Sequence, residues 1–355
     1  MLFANGESNS LVELTDEQCR TALAALEAAD GSARAAARYL EIPRSTYMRW
    51  LEVARARNLS AEERPPGLFP VFPDDDIDAE QILDHMQSRF EKRQALVDAQ
   101  KWFKINEPTD EPIAYSWFGD PHLGSNGCNI GLLRRDIKTI IDTPGMFAAN
   151  IGDTVDNWGG TLTRLYADND VSRQTERRLA CWFLEEAGIP WRVWLEGNHD
   201  HMDMALTAYL RGINANRVPM FDWRARFRVC FPNGTEIKID ASHDHKGHSM
   251  WNPLHGQKRA ASMDERADLY IAGHRHNAAI AQQEMPGGWI ANMARARGYK
   301  YVDDYATRGN FHQQNYGASI VSVFDPTAES PLNRVQLFAD VAAGAKYLTS
   351  LRSWA

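Results

Sequence analysis

The sequence predicts an α/β protein whose sheet layers are covered by helices, preceded by a small all-α domain. Three observations predict this arrangement. Residues 13–58 have helical periodicity throughout, and a proline-rich, acidic stretch follows them. From Pro112 onward, short apolar runs typical of strands alternate with helical segments, and strands then dominate. The length of 355 residues suits one large domain with a smaller one.

Composition and charge exclude several classes of protein. The chain is 44% hydrophobic and 24% charged, which is typical of soluble globular proteins. It has no run of about 18 apolar residues and its start lacks the features of a signal peptide, so we expect neither a membrane span nor secretion. Four widely spaced cysteines favour reduced thiols and a cytoplasmic location. The net charge of −8 argues against broad wrapping of nucleic acid, although a local basic surface can still exist.

The first 58 residues are predicted to form three helices. Thr15 is a candidate N-cap for the first, and a short second helix covers residues 33–40. The third covers residues 44–57 and begins after Pro43. The last two helices carry Ala36, Ala37, Leu40, Ile42, Tyr47 and Trp50. Through these residues the segment resembles the helix-turn-helix of transposase-like and regulatory DNA-binding proteins, which implies that they pack the two helices together.

That resemblance implies that the third helix enters a DNA groove. The implied DNA contacts are Arg44, Ser45, Thr46 and Arg49. Residues 44–57 carry four arginines against one glutamate, which makes a local basic stripe. The turn departs from the common pattern, because Glu41 stands where glycine is usual. The alternative interpretation is a three-helix module for dimerisation or docking.

Two connecting segments follow the N-terminal domain (residues 1–58). Residues 59–77 contain four prolines and a run of three aspartates, a composition typical of a linker. Residues 78–111 are assigned to a bracing segment, with a helix over about 78–103. Ile82, Met86 and Phe90 lie on one face of that helix and are expected to pack against the large domain, residues 112–355.

The large domain contains the alternating elements. The predicted strands cover residues 113–118, 146–151, 191–195, 224–231, 236–241, 269–272, 289–294, 318–324 and 334–338. The predicted helices cover residues 130–141, 171–187, 205–211, 257–265 and 342–351. A hairpin turn at Pro232-Asn233-Gly234 joins the fourth and fifth strands.

Five strands are followed by side chains that can bind metal. Nine of the eleven histidines fall between His122 and His276, in the same region. The five motifs are Gly119-Asp120-Pro121-His122, Gly152-Asp153-Thr154-Val155-Asp156-Asn157, Gly197-Asn198-His199-Asp200, Ser242-His243-Asp244-His245 and Gly273-His274-Arg275-His276. Side chains at the ends of neighbouring strands converge on one crevice beyond the sheet.

These motifs supply oxygen and imidazole donors without a thiolate. Such donors favour Mn²⁺ as the first choice, with Fe²⁺, Zn²⁺ or Mg²⁺ as alternatives. Seven candidate ligands are too many for one tetrahedral ion and suit two ions that share a carboxylate. Two ions about 3.5–4 Å apart can convert a bridging water to hydroxide and hold both oxygens of an in-line phosphoryl displacement.

In this order, the five motifs resemble those of the calcineurin-like metallophosphoesterase superfamily, over residues of about 112–324. The resemblance implies two packed mixed β-sheets flanked by helices, with a dinuclear metal centre at the strand ends. The implied ligands are Asp120, His122 and His276 for one ion, Asp153 as the bridge, and Asn198, His243 and His274 for the other.

The same resemblance implies that His199 does not bind metal. It would act as general acid for the leaving oxygen, or as a charge partner for the phosphate, with Asp156 or Asp200 orienting it. The fourth motif departs from the family pattern, because Asp244-His245 replaces a shorter glycine-containing form. His245 and His248 therefore remain alternatives to His243.

The leading hypothesis is a metal-dependent phosphodiesterase that hydrolyses nucleic acid by attack of a metal-bridging hydroxide. DNA is the expected partner, and the helix-turn-helix would recruit the enzyme to it, a combination similar to phosphoesterases of phages and mobile elements. One alternative is a phosphomonoesterase or nucleotide hydrolase whose N-terminal helices serve assembly. Another is a DNA-binding regulator with an inactive phosphoesterase fold. The oligomeric state stays open, a homo-oligomer included.

Overall fold

The computed structural model describes residues 14–61, 78–159, 163–165, 169, 171–302, 304–309 and 316–354. They fall into two compact units, Met1–Lys92 and Arg93–Ala355. Most of the predicted linker, residues 62–77, lies outside the described residues. None of the helices in the described part of the chain is long and apolar enough to cross a bilayer.

The first unit begins with three short helices, α1 (Asp16–Ala28), α2 (Ala33–Tyr39) and α3 (Arg44–Ala56). Thr15 caps α1 by accepting a hydrogen bond from the backbone N–H of Gln18, as its N-cap position predicts. The three helices share one small core, so the predicted all-α domain is confirmed.

Packing in this core follows the predicted pattern. Ala36, Ala37 and Tyr47 are buried, and Leu40, Ile42 and Trp50 pack against them partly buried. The Tyr47 hydroxyl donates a hydrogen bond to the Ala22 carbonyl of α1 at 2.8 Å. Glu41, between α2 and α3, has a φ of 53°, which is the left-handed conformation that favours glycine. The turn is therefore made at a residue that adopts it with strain.

The long helix α4 (Ala79–Gln100) forms, but it ends earlier than predicted. None of the described residues 79–100 is buried, and Ile82, Met86 and Phe90 are exposed. The bracing role of this helix therefore stays a prediction. Residues 103–106, which the sequence placed in or just after the helix, form a strand instead.

The second unit is built of strands and helices in alternation. Its strands are β1 (Phe103–Asn106), β2 (Ile113–Phe118), β3 (Met146–Ile151), β4 (Trp191–Glu196), β5 (Met220–Asp222), β6 (Arg224–Cys230), β7 (Glu236–Ser242), β8 (Leu269–Ala272), β9 (Ala279–Met285), β10 (Trp289–Arg295), β11 (Ile320–Phe324) and β12 (Val335–Phe338). Its helices are α5 (Ile130–Asp142), α6 (Arg173–Cys181), α7 (Asn198–His201), α8 (Met204–Ile213), α9 (His255–Met263), α10 (Asp304–Arg308) and α11 (Val341–Arg352). A π-helical turn at Trp182–Glu186 extends α6.

The strands form two mixed sheets of six strands each. One has the order β12-β11-β2-β3-β4-β5 and the other the order β1-β6-β7-β8-β10-β9. In the first sheet β2, β3 and β4 run parallel, and in the second β7 and β8 run parallel. Two mixed sheets flanked by helices were predicted, and this fold class is confirmed.

The core between the sheets is made by alternate residues of the central strands. Ile113, Tyr115 and Trp117 of β2 share one buried cluster with Phe227 of β6 and Ile239 of β7. The intervening residues of β2 face a second cluster, which the helices on the outer face complete. Because both faces of β2 are covered, every one of its residues is buried. The strand ends of the two sheets are thereby fixed side by side.

Candidate metal centre

The five motifs lie at the carboxyl ends of β2, β3 and β4 in one sheet and of β7 and β8 in the other. Parallel strands bring their carboxyl ends to the same edge of a sheet. Within each edge a backbone hydrogen bond joins neighbouring strand ends, from the Gly273 N–H to the His243 carbonyl and from the Asp120 N–H to the Gly152 carbonyl. The two edges are joined by the His274 N–H, which donates to the Asp120 carboxylate at 2.8 Å.

The backbone is strained where these motifs leave their strands. Six non-glycine residues of the motifs have a positive φ between 38° and 67°: Asn157 and five of the candidate ligands, namely Asp120, His122, Asp153, His274 and His276. Such conformations cost on the order of 1–3 kcal/mol each and persist only where the surroundings impose them. Strain is therefore concentrated at the residues predicted to bind metal.

Two glycines let the strand ends approach closely. A Cβ on Gly152 would lie 2.5 Å from His243 Nδ1 and 2.8 Å from the backbone of Gly197. A Cβ on Gly197 would collide with the Asp153 carboxylate. These positions need glycine because side-chain donors fill the space around them.

One donor group consists of Asp120, His122 and His276. The Nε2 atoms of the two histidines face each other at 3.2 Å. His122 Nδ1 lies 2.9 Å from the Asp156 carboxylate, so its proton belongs on Nδ1 and its Nε2 offers a lone pair.

A second donor group lies beside the first. His243 Nε2 is 3.0 Å from the amide oxygen of Asn198, 3.1 Å from His274 Nδ1 and 3.3 Å from the Asp153 carboxylate. Its Nδ1 donates to the Ile151 carbonyl at 2.8 Å, which again leaves Nε2 with a lone pair.

The donor set fits divalent cations. In each group a histidine with its lone pair turned inward meets a second imidazole nitrogen at about 3 Å, and carboxylate oxygens surround both pairs. Nitrogen lone pairs repel at that distance unless a proton or a cation lies between them. The oxygen and imidazole donors suit Mn²⁺, Fe²⁺ or Zn²⁺.

The protonation states of the candidate ligands also favour a bound cation. Burial lowers the pKa of His274 to about 4 and lowers the pKa of His276 well below its usual value, so both rings are neutral at pH 7. Burial raises the pKa of Asp120 to about 7. Burial opposes a charge on His243, but Asp153 and Asp120 outweigh it and raise the pKa of that ring to about 9. A bound cation would replace the proton that these carboxylates draw to His243.

His199 lies next to the donors, at the start of α7. Its backbone N–H donates to the Asp153 carboxylate at 2.8 Å, and its ring packs edge-on against His122 and Trp158 at 4.7 and 4.5 Å. Its Nδ1 contacts the backbone carbonyl of Asp156. Burial lowers the pKa of His199.

The predicted orientation of His199 by a carboxylate differs from what the structure shows. The Asp156 carboxylate contacts His122 and, at 2.8 Å, the ammonium of Lys300, while only its carbonyl reaches His199. Burial opposes a charge on Asp156, yet His122 and Lys300 hold the pKa of its carboxyl well below the usual range. Lys300 was missed because it lies 144 residues from Asp156 in the sequence.

Asp200 also acts on the backbone. Its carboxylate accepts hydrogen bonds from the N–H groups of Gly197 at 2.8 Å and Thr154 at 3.0 Å. Burial and the nearby Asp153 carboxylate raise its pKa to about 7. Asp200 therefore fixes the turn that carries Asn198, rather than the ring of His199.

The two alternatives to His243 lie apart from the donors. His245 is buried, with Nε2 3.3 Å from the Asp240 carboxylate, and that carboxylate also binds Arg224. His248 is exposed. Only His243 of the three belongs to a donor group among the described residues.

The residues predicted to contact DNA lie near the start of α3. Arg44, Ser45 and Arg49 are exposed and Thr46 is half-buried, all in the first two turns of α3. Arg57, the last arginine of the basic stripe, instead donates to the Leu14 carbonyl and pairs with Asp16 at 2.8 Å. One cation of the stripe thus holds the helices together.

Comparisons with known proteins give a distant structural likeness. No family model matches the sequence, and no curated protein matches it. GAP50, the anchor in the inner membrane complex of Plasmodium, is 9% identical with a TM-score of 0.31, over 68% of this chain and 94% of that one. The 5'-nucleotidase from Candida albicans SC5314 is 10% identical with a TM-score of 0.34, over 70% of this chain and 56% of that one. Likeness at this level identifies neither an activity nor the residues that carry it.

Proposed function

We propose that this protein is a metal-dependent phosphodiesterase that hydrolyses nucleic acid, with DNA as its partner. The observation that carries the proposal is the pair of donor groups at the strand ends, Asp120/His122/His276 and Asp153/His243/His274. Two divalent ions held side by side are the arrangement that phosphoryl transfer to water uses.

The ions would be held by the residues that the motifs supply. Asp120, His122 and His276 would bind one, and Asn198, His243 and His274 the other, with Asp153 between them. Bound there, the ions would supply Lewis-acid activation of water and charge stabilisation on the phosphate. The chain's own residues set the rest of the reaction.

His199 is the residue that we place against the substrate. Its Nδ1 contacts the Asp156 carbonyl, which fixes the ring and assigns a proton to that nitrogen. Nε2 is then the nitrogen that meets the substrate, as proton donor to the leaving oxygen or as a charged partner for the phosphate. Burial lowers the pKa of the ring, so the negative phosphate is needed to favour its protonated form.

Asp156 and Lys300 belong to the buried network that positions the His199 ring. The Lys300 ammonium pairs with the Asp156 carboxylate at 2.8 Å and lies 5.2 Å from the centre of the Trp158 ring. Trp158 in turn packs on His199 at 4.5 Å. The same carboxylate holds His122, so one buried network positions both a metal ligand and the proposed proton donor.

The DNA partner is inferred from the first unit. Its three helices share one core, which is compatible with the helix-turn-helix that the sequence predicts, and Arg44, Ser45 and Arg49 are exposed in the first turns of α3. In helix-turn-helix proteins the N-terminal residues of the recognition helix, which corresponds to α3 here, contact the DNA. Two exposed cations there give this acidic chain a local attraction for a polyanion.

A substrate panel with metal quantified in each reaction tests the proposal. The panel consists of a bis-aryl phosphate diester, its aryl monoester, linear and circular DNA, and RNA. We expect the Mn²⁺-loaded chain to hydrolyse the diester and DNA. Turnover of the monoester alone, with both ions bound, would show a phosphomonoesterase and contradict the nucleic-acid proposal. A chain that binds no transition ion would be the inactive regulator.

The role of the helix-turn-helix has its own test. We expect Arg44→Ala/Arg49→Ala to weaken DNA binding and reduce the slope of log affinity against log salt by about two, because two phosphate contacts are lost. Hydrolysis of the small diester should be unchanged. Arg134→Ala/Lys346→Ala removes two exposed cations from the other unit and is the matched control. An equal loss of affinity in both double variants would mean that net charge, and not α3, governs binding.

A further inference from the structure

Trp223 is the only residue between β5 and β6, where the chain passes from one sheet to the other. It has a φ of 59°, a left-handed conformation that is rare for a bulky residue. Trp223 is 39% exposed, although its ring packs against two of the candidate metal ligands, His243 and His274. This side chain is neither a proposed metal ligand nor part of the network around His199.

The backbone of Trp223 is fixed to the strand ends that carry the donors. Its N–H donates to the Glu196 carbonyl at the end of β4, two residues before Asn198. Its carbonyl accepts from the His243 N–H at 2.7 Å. The position of this residue is therefore coupled to the positions of two candidate ligands.

The ring is held as firmly as the backbone. Its Nε1–H donates to the Asp244 carbonyl at 3.1 Å, and the Asp244 carboxylate is bound by Arg295 at 2.9 Å and Arg275 at 3.0 Å. The ring centre lies 4.9 Å from that of His243 and 6.1 Å from that of His274. An indole so fixed offers its exposed surface with little loss of side-chain freedom on binding.

We propose that Trp223 is a stacking platform for a nucleobase of the substrate, next to the phosphate that the donor groups bind. Every base has a flat aromatic face, so stacking on an indole is strong without selecting a sequence. A phosphate bound at His243 and His274 would lie beside the indole, whose centre is 4.9 and 6.1 Å from the centres of those two rings. The proposal rests on the phosphodiesterase function above and names the group that it recognises next to the phosphate.

Binding to the Mn²⁺-loaded full-length chain tests the platform without requiring turnover. Titration calorimetry compares thymidine monophosphate with deoxyribose phosphate, in which a C1 hydroxyl takes the place of the base. We expect the nucleotide to bind about tenfold more tightly, the equivalent of ~1.4 kcal/mol, which is within the range for stacking of a base on an aromatic side chain. Equal affinities in the unmodified protein overturn the proposal, whatever the variants do.

Two substitutions then assign the effect to this ring. Trp223→Ala should reduce the affinity ratio to about one while binding of deoxyribose phosphate stays unchanged. Trp223→Phe keeps a flat ring without the Nε1–H donor and should retain most of the preference. Trp354→Ala, which removes an 84% exposed tryptophan after α11, is the control. If Trp223 only shields the histidines, its removal weakens both ligands equally, and the stacking proposal is wrong.

The outcomes separate this proposal from the function on which it rests. If the protein prefers the nucleotide but cleaves no diester, the stacking proposal stands and the phosphodiesterase proposal is wrong. If it cleaves DNA but binds both ligands equally, the phosphodiesterase proposal stands and the stacking proposal is wrong.

Discussion

The choice between His243 and His245 gives the sharpest prediction, because the structure places two histidines two residues apart in different surroundings. His243 Nε2 lies within 3.3 Å of Asn198, His274 and Asp153. His245 Nε2 lies 3.3 Å from the Asp240 carboxylate, outside both donor groups. Alanine at either position removes a buried imidazole, so the two variants form a matched pair.

We expect His243→Ala to lose one ion and His245→Ala to keep both. Loss of a partner that only orients a ligand costs about 10–100-fold in metal affinity, so loss of the ligand itself should exceed that. His245→Ala loses one hydrogen bond and leaves a small cavity, and its unfolding free energy should fall by about 2 kcal/mol.

Metal analysis and thermal unfolding, with and without Mn²⁺, distinguish the two effects. Bound metal stabilises the folded chain by ~2.7 kcal/mol per site when the free metal concentration is 100 times the dissociation constant of that site. That increment should shrink in His243→Ala and persist in His245→Ala, whose melting temperature is lower in both conditions. Two ions in His243→Ala, with one lost in His245→Ala, would refute the assignment.

Three further predictions follow from the surroundings of the site. His199→Ala should abolish turnover with both ions retained, whereas Asp153→Ala should lose metal; equal metal loss in both would make His199 a ligand. Asp156→Asn should lower the affinity for one ion by about 10–100-fold, because its carboxylate orients His122, and unchanged metal titrations would contradict this. Asp240→Asn should lower the unfolding free energy by about 3 kcal/mol at pH 7. Burial opposes the Asp240 charge, but Arg224 and His245 hold its pKa well below the usual range, so this difference should narrow as the pH falls below about 4 and urea titrations should show it.

The motifs were visible in the sequence because their chemistry is local. The motif with Asp120 and His122, for example, is a glycine and two metal-binding side chains within a few residues of a strand end. Such a pattern can be recognised without knowing the rest of the chain. The alternating apolar runs likewise predicted most strands of both sheets. The convergence of the motifs followed from one rule, that parallel strands end at the same edge.

The elements that were missed depend on distant partners. The sequence predicted no strand at β1, placing Phe103 at the end of a helix, and the pairing of β1 with β6, more than a hundred residues later, makes it a strand. β9 is a half-exposed edge strand containing two alanines and a glutamate, residue types that are depleted in strands. It forms because β10 pairs with it.

Functional contacts of the backbone were equally hidden. The sequence suggested that a carboxylate would orient His199, since that is what a nearby Asp usually does. The contact comes from the Asp156 carbonyl, which any residue would offer, while the carboxylate serves His122. Trp223 belongs to none of the motifs, and the role that we propose for it depends on its position at the crossing between the two sheets.

Anomalous diffraction from crystals soaked in Mn²⁺ tests the central claim most directly. We predict two peaks, one bound by Asp120, His122 and His276 and the other by Asn198, His243 and His274, with Asp153 touching both. A single peak, no peak, or peaks only at another acidic cluster such as Glu196, His201 and Asp222 would contradict a dinuclear centre at the strand ends.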